Sequence, residues 1–386
     1  MFGMSTGIFK RLGLRRVINA AGPETTLGGS VLDPQVVEAM NEIAGSFVNM
    51  DELHKRAGEI IAEIVGAEAA FVTSGCAAAL VLATAACITG KDPAKMAQLP
   101  NTAGLKNEVI IQKGHRNPFD SAYREAGAKL VEVGSPFARA SSEIEAAIGE
   151  KTAAITYVVM WGDVGKLSIE DVLKVAKSRD IPMIVDGAWL VPPLERLRRV
   201  ASLGVDLIAC SGGKLIGGPN DTGFVCGRND LVEACKMQGC PHFGIGRPMK
   251  VSKEQIVGLV AAVELYAKKD HQTEQRVWES ILKYVMEQLV DVPYIETRMV
   301  AAEERPLGLD MPPIPLLFIT INEEALGKTV WDVIRALKVG DPSIYTVEYI
   351  TENYLPHTIV LNPTTIIKGQ EYTLAKRLKE ALKPKK

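Results

Sequence analysis

The amino-acid sequence predicts an α/β fold, with a mostly parallel sheet covered by helices on both faces and a small α+β domain at the carboxyl end. Two observations predict it. Short apolar runs alternate with helical stretches from Val17 to about Gly227. The chain also has 386 residues, 47% of them hydrophobic, which is enough for a large core and a second domain. Ligands of such sheets bind at the carboxyl ends of the strands, so a functional site is expected there.

The sheet of the large domain is predicted from apolar runs of strand length that are bounded by turn residues. These runs are Ala69–Thr73, Val109–Gln112, Lys129–Val133, Ala153–Val159, Met183–Val185, Leu207–Ala209 and Thr222–Cys226.

The carboxyl-terminal part of the chain predicts the small domain. A long helical stretch covers 252–289, and two strand-like runs precede a closing helix. Those runs and the helix are Leu316–Ile321, Thr358–Leu361 and 369–382. The predicted division is an amino-terminal arm over residues 1–16, a large domain over 17–262, and an interdomain helix with the small domain over 263–386.

Asp186 and Lys214 are the most informative pair of residues. Asp186 ends an apolar run, and Lys214 follows 28 residues later, after Ser211-Gly-Gly. A lysine can form a Schiff base with pyridoxal 5'-phosphate (PLP), and an aspartate at a strand end can keep the pyridine nitrogen protonated. The two glycines would let the backbone approach the cofactor, with Ser211 free to bind its phosphate. The pair therefore predicts a PLP enzyme.

The Ser-Gly-Gly-Lys sequence has two other interpretations. It is compatible with an exposed turn that carries a solvated lysine. It also matches the Ser-x-x-Lys motif of penicillin-interacting enzymes, in which the serine opens a helix. Ser211, however, follows a strand-like run and precedes two glycines, which disfavour a helix. The upstream Asp186 favours the PLP interpretation.

Ser74, Gly75 and Cys76 are the candidates for a phosphate-binding turn. They follow the strand-like Ala69–Thr73 and precede the alanine-rich run 77–86, which has a high helix propensity. A strand, a glycine turn and a helix start together present free backbone N–H groups to an anion. The alternative is an ordinary turn between a strand and a helix.

His115 follows the predicted strand Val109–Gln112, in a Gly-His sequence. At a strand end its imidazole is placed to lie flat on the cofactor ring. A structural histidine in a loop is the alternative interpretation of this residue.

The motifs resemble those of the fold-type I, aspartate aminotransferase-like PLP enzymes. Within these, they are similar to the bacterial selenocysteine synthase (L-seryl-tRNA selenium transferase) superfamily, and most of all to its D-glucosaminate-6-phosphate ammonia-lyase group. The resemblance covers about Val17 to Ala262. Its motifs, in chain order, are Ile18-Asn-Ala-Ala-Gly22, Leu27-Gly-Gly-Ser30, Thr73-Ser-Gly-Cys76, Gly114-His115, Val185-Asp-Gly-Ala188, Ser211-Gly-Gly-Lys214 and Gly244-Ile-Gly-Arg247-Pro-Met-Lys250.

The resemblance implies roles for the cofactor residues. It makes Lys214 the Schiff-base lysine, Asp186 the partner of the pyridine nitrogen and His115 the residue that stacks on the ring. The implied phosphate-side contacts are Ser74, Gly75, Cys76 and Ser211.

Arg247 and Lys250 match two arginines that face the substrate in selenocysteine synthases. A lysine at the second position offers a point charge in place of a planar fork, which still suits a phosphate or a carboxylate. A solvated basic turn is the alternative. The basic sequence His54-Lys55-Arg56 is a further candidate for this binding, or else the exposed start of a helix.

Selenium transfer to tRNA is not expected. The matching segment of selenocysteine synthases carries an arginine where this chain has Gly29, and the cofactor-domain pattern begins within the first twenty residues, without the amino-terminal domain that grips tRNA. The net charge of −2 also lacks the basic character of a nucleic-acid-binding protein.

The resemblance implies an α,β-elimination that converts an amino-sugar acid such as D-glucosaminate-6-phosphate into a 2-keto-3-deoxy acid and ammonia. One PLP site serves several reactions, so a racemase, an aldolase or a cysteine-type lyase remains an alternative. A further alternative is that the chain is not an enzyme but a protein that binds PLP without catalysing a reaction.

The expected partners are a small-molecule substrate and further copies of this chain, as a homodimer or a multiple of dimers. The longest apolar run, 76–88, is too short to span a membrane. The 6 cysteines lack metal-site spacing, so no metal is expected. Free thiols favour a cytoplasmic location.

Overall fold

The computed structural model describes residues 5–134, 141–159, 167–301 and 313–385. These residues form two compact units. The large unit contains residues 30–269, and the small unit contains residues 5–29, 270–301 and 313–385.

The strands of the described residues are short, with four to seven residues each. They are β1 (Val17–Ala20), β2 (Ala69–Thr73), β3 (Glu108–Gln112), β4 (Lys129–Val133), β5 (Thr152–Val158), β6 (Met183–Asp186), β7 (Leu207–Ser211), β8 (Gly223–Gly227), β9 (Ile295–Val300), β10 (Leu316–Ile321), β11 (Ser343–Thr346) and β12 (Thr358–Leu361).

Helices connect and cover these strands. They are α1 (Ser5–Leu12), α2 (Pro34–Ala44), α3 (Met50–Val65), α4 (Gly75–Thr89), α5 (Pro93–Gln98), α6 (Ser121–Glu125), α7 (Ser141–Ala147), α8 (Ile169–Ser178), α9 (Leu194–Ser202), α10 (Asn229–Gln238), α11 (Lys253–Ala267), α12 (His271–Leu289), α13 (Glu323–Leu326), α14 (Val330–Val339), α15 (Glu348–Asn353) and α16 (Gln370–Ala381). Short 3-10 helices cover Thr25–Leu27, Lys113–His115, Pro118–Asp120 and Pro363–Thr365.

The large unit contains a seven-stranded sheet in the order β2-β8-β7-β6-β5-β3-β4 among the described residues. Strands β4, β3, β5, β6 and β7 are parallel to their neighbours, whereas β8 is antiparallel to both β2 and β7. All seven residues of β5 are buried, as expected of a strand that is covered on both faces. The predicted mostly parallel sheet is confirmed.

Apolar cores lie on both faces of this sheet. One core contains side chains of α3, α8, α9 and α11, and the other contains side chains of α4, α6 and α10. Helix α4 includes the predicted alanine-rich run and is buried along most of its length, because its small side chains allow the neighbouring elements to pack closely. The predicted helices on both faces are also confirmed.

The strand directions bring several chain segments to one edge of the sheet. The parallel strands β3, β5, β6 and β7 end at this edge. Strand β2 points the same way as β7, because β8 is antiparallel to both of them. The start of α4 therefore lies at the same edge, where open α/β sheets bind their ligands.

The small unit has a two-stranded parallel sheet, β1 with β11, and an antiparallel sheet in the order β12-β10-β9. Helices α12, α14 and α16 contribute to its apolar core. The strands predicted at Leu316–Ile321 and Thr358–Leu361 are both present.

The two units divide the chain differently from the sequence prediction. Residues 17–29 lie in the small unit, because β1 forms its hydrogen-bond ladder with β11. The helical stretch predicted over 252–289 is two helices, and the boundary lies at 269/270 rather than at 262/263. The break follows from Asp270, whose side chain caps α12 by accepting hydrogen bonds from two backbone N–H groups.

Three properties of the described residues bear on the kind of site to expect. No described helix is long and apolar enough to cross a membrane. The described part of the chain also contains no cluster of three or more His, Cys, Asp or Glu side chains that could hold a metal ion. All six cysteines are free thiols.

Candidate active site

Asp186 is the last residue of β6 and is only 7% exposed. Its Oδ1 atom accepts a hydrogen bond from the Ala188 N–H at 3.1 Å and one from the Cys76 thiol at 3.7 Å. Burial raises the pKa of Asp186, whereas the Ala188 N–H, the charge of Lys214 and the Cys76 thiol lower it. The site thus holds a buried carboxylate whose ionised form depends on nearby donors and on a cation.

Cys76, at the start of α4, acts on this carboxylate as a neutral donor. Burial raises the pKa of its thiol well above the ordinary value, and the charge of Asp186 raises it further. The thiol therefore stays protonated near pH 7. Its side chain points to Asp186, so any contact of Cys76 with a phosphate is left to its backbone N–H.

Lys214 follows a tightly folded glycine pair. The N–H groups of Gly212 and Gly213 both donate to the Thr222 carbonyl, at 2.8 and 3.3 Å. A Cβ atom on Gly213 would lie 2.4 Å from the Asn220 Cα, which leaves no room for a side chain. The glycines thus allow this loop to fold back on itself next to the end of β7.

The ammonium of Lys214 lies over the indole ring of Trp189, with Nζ 4.0 Å from the ring centroid. Trp189 stands three residues after Asp186, in a turn whose Ala188 N–H binds that carboxylate. No role was predicted for Trp189 from the sequence, where only its position three residues after Asp186 points to the site.

The start of α4 has the features of an anion site. Gly75 has a φ of +85°, and the side chain of Ser74, the residue before the helix, makes no capping hydrogen bond. The first N–H groups of a helix have no partners within it and attract negative charge. A Cβ atom on Gly223 of β8 would lie 2.7 Å from the Cys76 N atom, so the sheet approaches this helix start closely.

This set of groups fits PLP. An amine, a buried carboxylate and a helix start lie at one edge of one sheet, and they suit the aldehyde, the pyridine nitrogen and the phosphate of that cofactor. Ser211, the last residue of β7, is half-buried at the same edge.

His115 is fully buried in the 3-10 helix after β3. Its ring makes an edge-to-face contact with Tyr157, with centroids 4.4 Å apart and an interplanar angle of 71°. Its Nδ1 lies 3.5 Å from the Gln112 Nε2, and the Gln112 Oε1 accepts a hydrogen bond from the Leu167 N–H at 2.7 Å. The imidazole is therefore fixed at the edge of the sheet where Asp186 lies, and its stacking role stays a prediction.

Arg247 and Lys250 lie in the loop after α10. Arg247 contacts other residues of that loop: its Nη1 lies 3.9 Å from the Cys240 Sγ, and its guanidinium lies 5.8 Å from the centroid of the Phe243 ring. Lys250 is exposed. The proposed substrate role of both side chains rests on the resemblance.

Of the basic run His54-Lys55-Arg56, Lys55 and Arg56 are exposed at the start of α3, whereas His54 is buried. The side chain is 3% exposed and stacks on Phe71, with ring centroids 4.7 Å apart. Burial lowers its pKa from 6.5 to about 4; Lys236 and His242 add to this effect, and Asp51 opposes it. At neutral pH His54 is thus uncharged.

Burial of His54 makes folding stability depend on pH. Its pKa is lower in the folded chain, so the unfolded chain binds this proton more readily between about pH 6.5 and about pH 4. The contribution of His54 to the free energy of unfolding is therefore fully present above about pH 6.5. It is lost as the pH falls toward about 4, and the loss amounts to about 3 kcal/mol. In urea unfolding, we expect His54→Leu to lose about 3 kcal/mol less than the wild type between pH 7 and pH 4.

His357→Leu is the control for that experiment, because His357 is exposed and its contact with Glu323 is open to water, where an ion pair contributes little to stability. It should show the wild-type dependence on pH. Equal losses of stability in His54→Leu and the wild type would contradict the buried, neutral state of His54.

Sequence comparison shows which known proteins this chain is similar to. The family model described as L-seryl-tRNA selenium transferase matches residues 17–292. A D-glucosaminate-6-phosphate ammonia lyase of Salmonella typhimurium is 36% identical over 98% of each chain. A 5'-C-glycyluridine monooxygenase-decarboxylase of a Streptomyces species is 30% identical over 98% of this chain and 93% of its own.

Comparison with solved structures agrees with the sequence comparison. The structure of a D-glucosaminate-6-phosphate ammonia-lyase matches with a TM-score of 0.82 and 34% identity, over 97% of this chain and 98% of the other. A NifS-like protein has the same fold, with a TM-score of 0.59 at 16% identity, over 96% and 99% of the two chains. The fold is that of the fold-type I PLP enzymes.

Proposed function

Because the chain belongs to the L-seryl-tRNA selenium transferase family, we propose that it is a PLP-dependent carbon–nitrogen lyase acting on D-glucosaminate-6-phosphate or a similar amino-sugar acid. The observation that carries the proposal is the group formed by Asp186, Cys76, Lys214 and Trp189. This group lies in a chain that is similar, over nearly its whole length, to an ammonia lyase for that substrate.

PLP supplies an electron sink for the carbanion at the substrate Cα. Lys214 would bind the cofactor covalently, and its amine, when it is free, would remove the Cα proton of the substrate. The Asp186 carboxylate would keep a proton on the ring nitrogen. Ala188 and Cys76 both donate to Oδ1 of Asp186, so Oδ2 is the oxygen that we assign to that nitrogen. Ser74, Gly75, the Cys76 N–H and Ser211 are assigned to the phosphate, and His115 to the ring face.

Loss of the β-hydroxyl completes the elimination. The proton taken by Lys214 is returned to this hydroxyl, which leaves as water. The released enamine takes up a solvent proton at C3 and is hydrolysed to the 2-keto-3-deoxy acid and ammonia. Because one water is lost and one is taken up, the two products together have the atoms of the substrate. We assign Arg247 and Lys250 to its carboxylate or phosphate.

A panel of amino acids separates this reaction from the others that PLP supports. The proposal predicts a kcat/KM for D-glucosaminate-6-phosphate well above the values for serine and cysteine. Release of pyruvate or sulfide as the main activity would contradict it and favour a cysteine-type lyase. Because a relative that is 30% identical is a monooxygenase-decarboxylase, oxygen consumption should be measured with each compound of the panel.

Arg247→Ala tests the substrate assignment. Loss of a charge that binds the substrate equally in the ground and transition states raises KM and leaves kcat nearly unchanged. We expect KM to rise about 10-fold to 100-fold, as for the loss of one charged hydrogen bond. Lys253→Ala is the control, because Lys253 binds the backbone carbonyls of Ile43 and Ala44. An unchanged KM in Arg247→Ala would remove Arg247 from the site.

The active form is proposed to be a homodimer or a multiple of dimers. Phe47 and Phe243 are 105% and 93% exposed, which is unusual for large apolar side chains. Asp51 and His242 lie 3.3 Å apart, so α3 and the loop with Phe243 meet on one side of the large unit. A second copy of the chain is the occupant that we propose for this surface, as fold-type I sites are usually completed by a neighbouring subunit.

Light scattering tests the assembly. The expected mass is an even multiple of 41.7 kDa. Phe243→Asp should shift it toward the monomer, and Val339→Asp, at an exposed position of the small unit, should not. A wild-type monomer would contradict the proposal.

A cytoplasmic location also belongs to the proposal. Its support is the state of the six cysteines, which are all free. Free thiols are typical of proteins from reducing compartments.

A further inference from the structure

We infer that Trp189 is a positioning residue for Lys214, whose ammonium it holds and stabilises while the lysine carries the substrate proton. The inference rests on the proposed function for its kinetic consequence. The contact itself stands on the geometry of the two side chains.

That geometry is a short cation–π contact. Nζ of Lys214 lies 4.0 Å from the centroid of the indole ring, well inside the distance of about 6 Å at which such contacts are effective. Tryptophan has the strongest attraction for a cation among the aromatic side chains. Both residues are half-buried, so water screens the attraction less than it would on an open surface.

The turn that carries Trp189 is fixed by its own backbone. The Gly187 N–H donates to the Ala209 carbonyl at 2.8 Å, and the Leu190 N–H donates to the Gly187 carbonyl at 3.0 Å. The Trp189 carbonyl accepts a hydrogen bond from the Arg196 Nη1 at 3.2 Å. The indole is therefore held next to the catalytic amine by contacts that do not involve that amine.

The π face favours one protonation state of the amine. It attracts the ammonium but not the neutral amine, so it stabilises the product of proton transfer. In that transfer the Cα–H bond breaks, its electron pair stays with the substrate, and an N–H bond forms on Nζ. The proton then moves to the leaving hydroxyl, and the amine is neutral again. Trp189 thus makes Lys214 a stronger base.

Acetylation of Lys214 in the full-length chain, freed of cofactor, measures this effect without turnover. Acetic anhydride attacks only the neutral amine, and mass spectrometry reads the modification at Lys214 as the pH is raised. In Trp189→Leu, we expect the midpoint of this curve to fall by about one pH unit, because the ammonium loses its π contact. Trp189→Phe should retain most of the wild-type value, and circular dichroism checks that each variant is folded.

Trp331→Leu is the matched control, since Trp331 lies in the small unit with 38% of its surface exposed. Its midpoint should equal that of the wild type. An unchanged midpoint in Trp189→Leu would overturn the inference, whatever the activity of that variant.

Steady-state kinetics test the consequence for catalysis. In Trp189→Leu, kcat should fall about tenfold near neutral pH with KM little changed, and Trp189→Phe should restore most of it. A shifted acetylation midpoint with an unchanged kcat would overturn the positioning role. Failure of the wild type to act on D-glucosaminate-6-phosphate would instead contradict the proposed function, and the acetylation midpoint would still decide the contact.

Discussion

Replacing Lys214 with alanine should end covalent retention of PLP and lower kcat by about 10⁴-fold. A general base contributes about 10²-fold to 10⁴-fold. Because we also assign to this amine the covalent link to the cofactor, the loss should lie at the upper end of that range. The loop should still fold, because the hydrogen bonds from the Gly212 and Gly213 N–H groups to the Thr222 carbonyl are formed by the backbone alone.

Borohydride reduction followed by digestion and mass spectrometry measures the first effect. In the wild type, the cofactor should be found on the peptide that contains Lys214, and in Lys214→Ala on no peptide. Lys174→Ala is the control, because Lys174 is an exposed residue of α8. Cofactor trapped on another lysine of the wild type would show that the catalytic lysine was misassigned.

Replacing Asp186 with asparagine should lower kcat by about 10²-fold to 10⁴-fold. The amide cannot balance the positive charge of a protonated ring nitrogen, and breaking a buried ion pair typically costs about 3–5 kcal/mol. Because burial raises the pKa of Asp186, its ionised form relies on Ala188, Lys214 and Cys76. Cofactor affinity should fall as well, since we assign the same carboxylate to the pyridine nitrogen of PLP before any substrate binds.

Two further variants make the result specific. Asp186→Glu keeps the charge but moves it by one methylene, so its kcat should lie between those of Asp186→Asn and the wild type. Asp221→Asn removes an exposed carboxylate that bonds Gln255, and it should leave kcat unchanged. Wild-type kcat in Asp186→Asn would remove Asp186 from the site.

The positions of several strands could be predicted because their sequences are short, mostly apolar runs between turn residues. The runs Ala69–Thr73 and Lys129–Val133, at the two edges of the large sheet, coincide with β2 and β4. The central strands β3, β6 and β7 lie within about two residues of their predicted bounds, and candidate site residues stand at or just after their ends. For the same reason Asp186 and Ser211 could be placed at one edge of the sheet before any contact was known.

The direction of each strand, and the unit to which it belongs, could not be predicted from the sequence pattern. A buried strand such as β8 is apolar on both faces, so its sequence does not indicate that it runs antiparallel to β7. Strand β1 belongs to the small unit through pairing with β11, more than 300 residues away along the chain. Local patterns carry no information about such pairings.

The contacts inside the site show the same limit. The Cys76 thiol and Asp186 are 110 residues apart in sequence, and only the fold brings them together. The contact between Trp189 and Lys214 depends in the same way on the loop after β7. His54 stands in a basic run, yet its burial against Phe71 makes it neutral, which charge pattern alone does not reveal.

Nuclear magnetic resonance of the reaction with D-glucosaminate-6-phosphate in deuterated water shows whether the enzyme catalyses the proposed elimination. We expect one ammonia for each molecule of 2-keto-3-deoxy-6-phosphogluconate, with a deuterium atom from the solvent at C3 of that product. A substrate that exchanges its Cα proton without losing ammonia, or a product that keeps its 3-hydroxyl, would contradict an elimination.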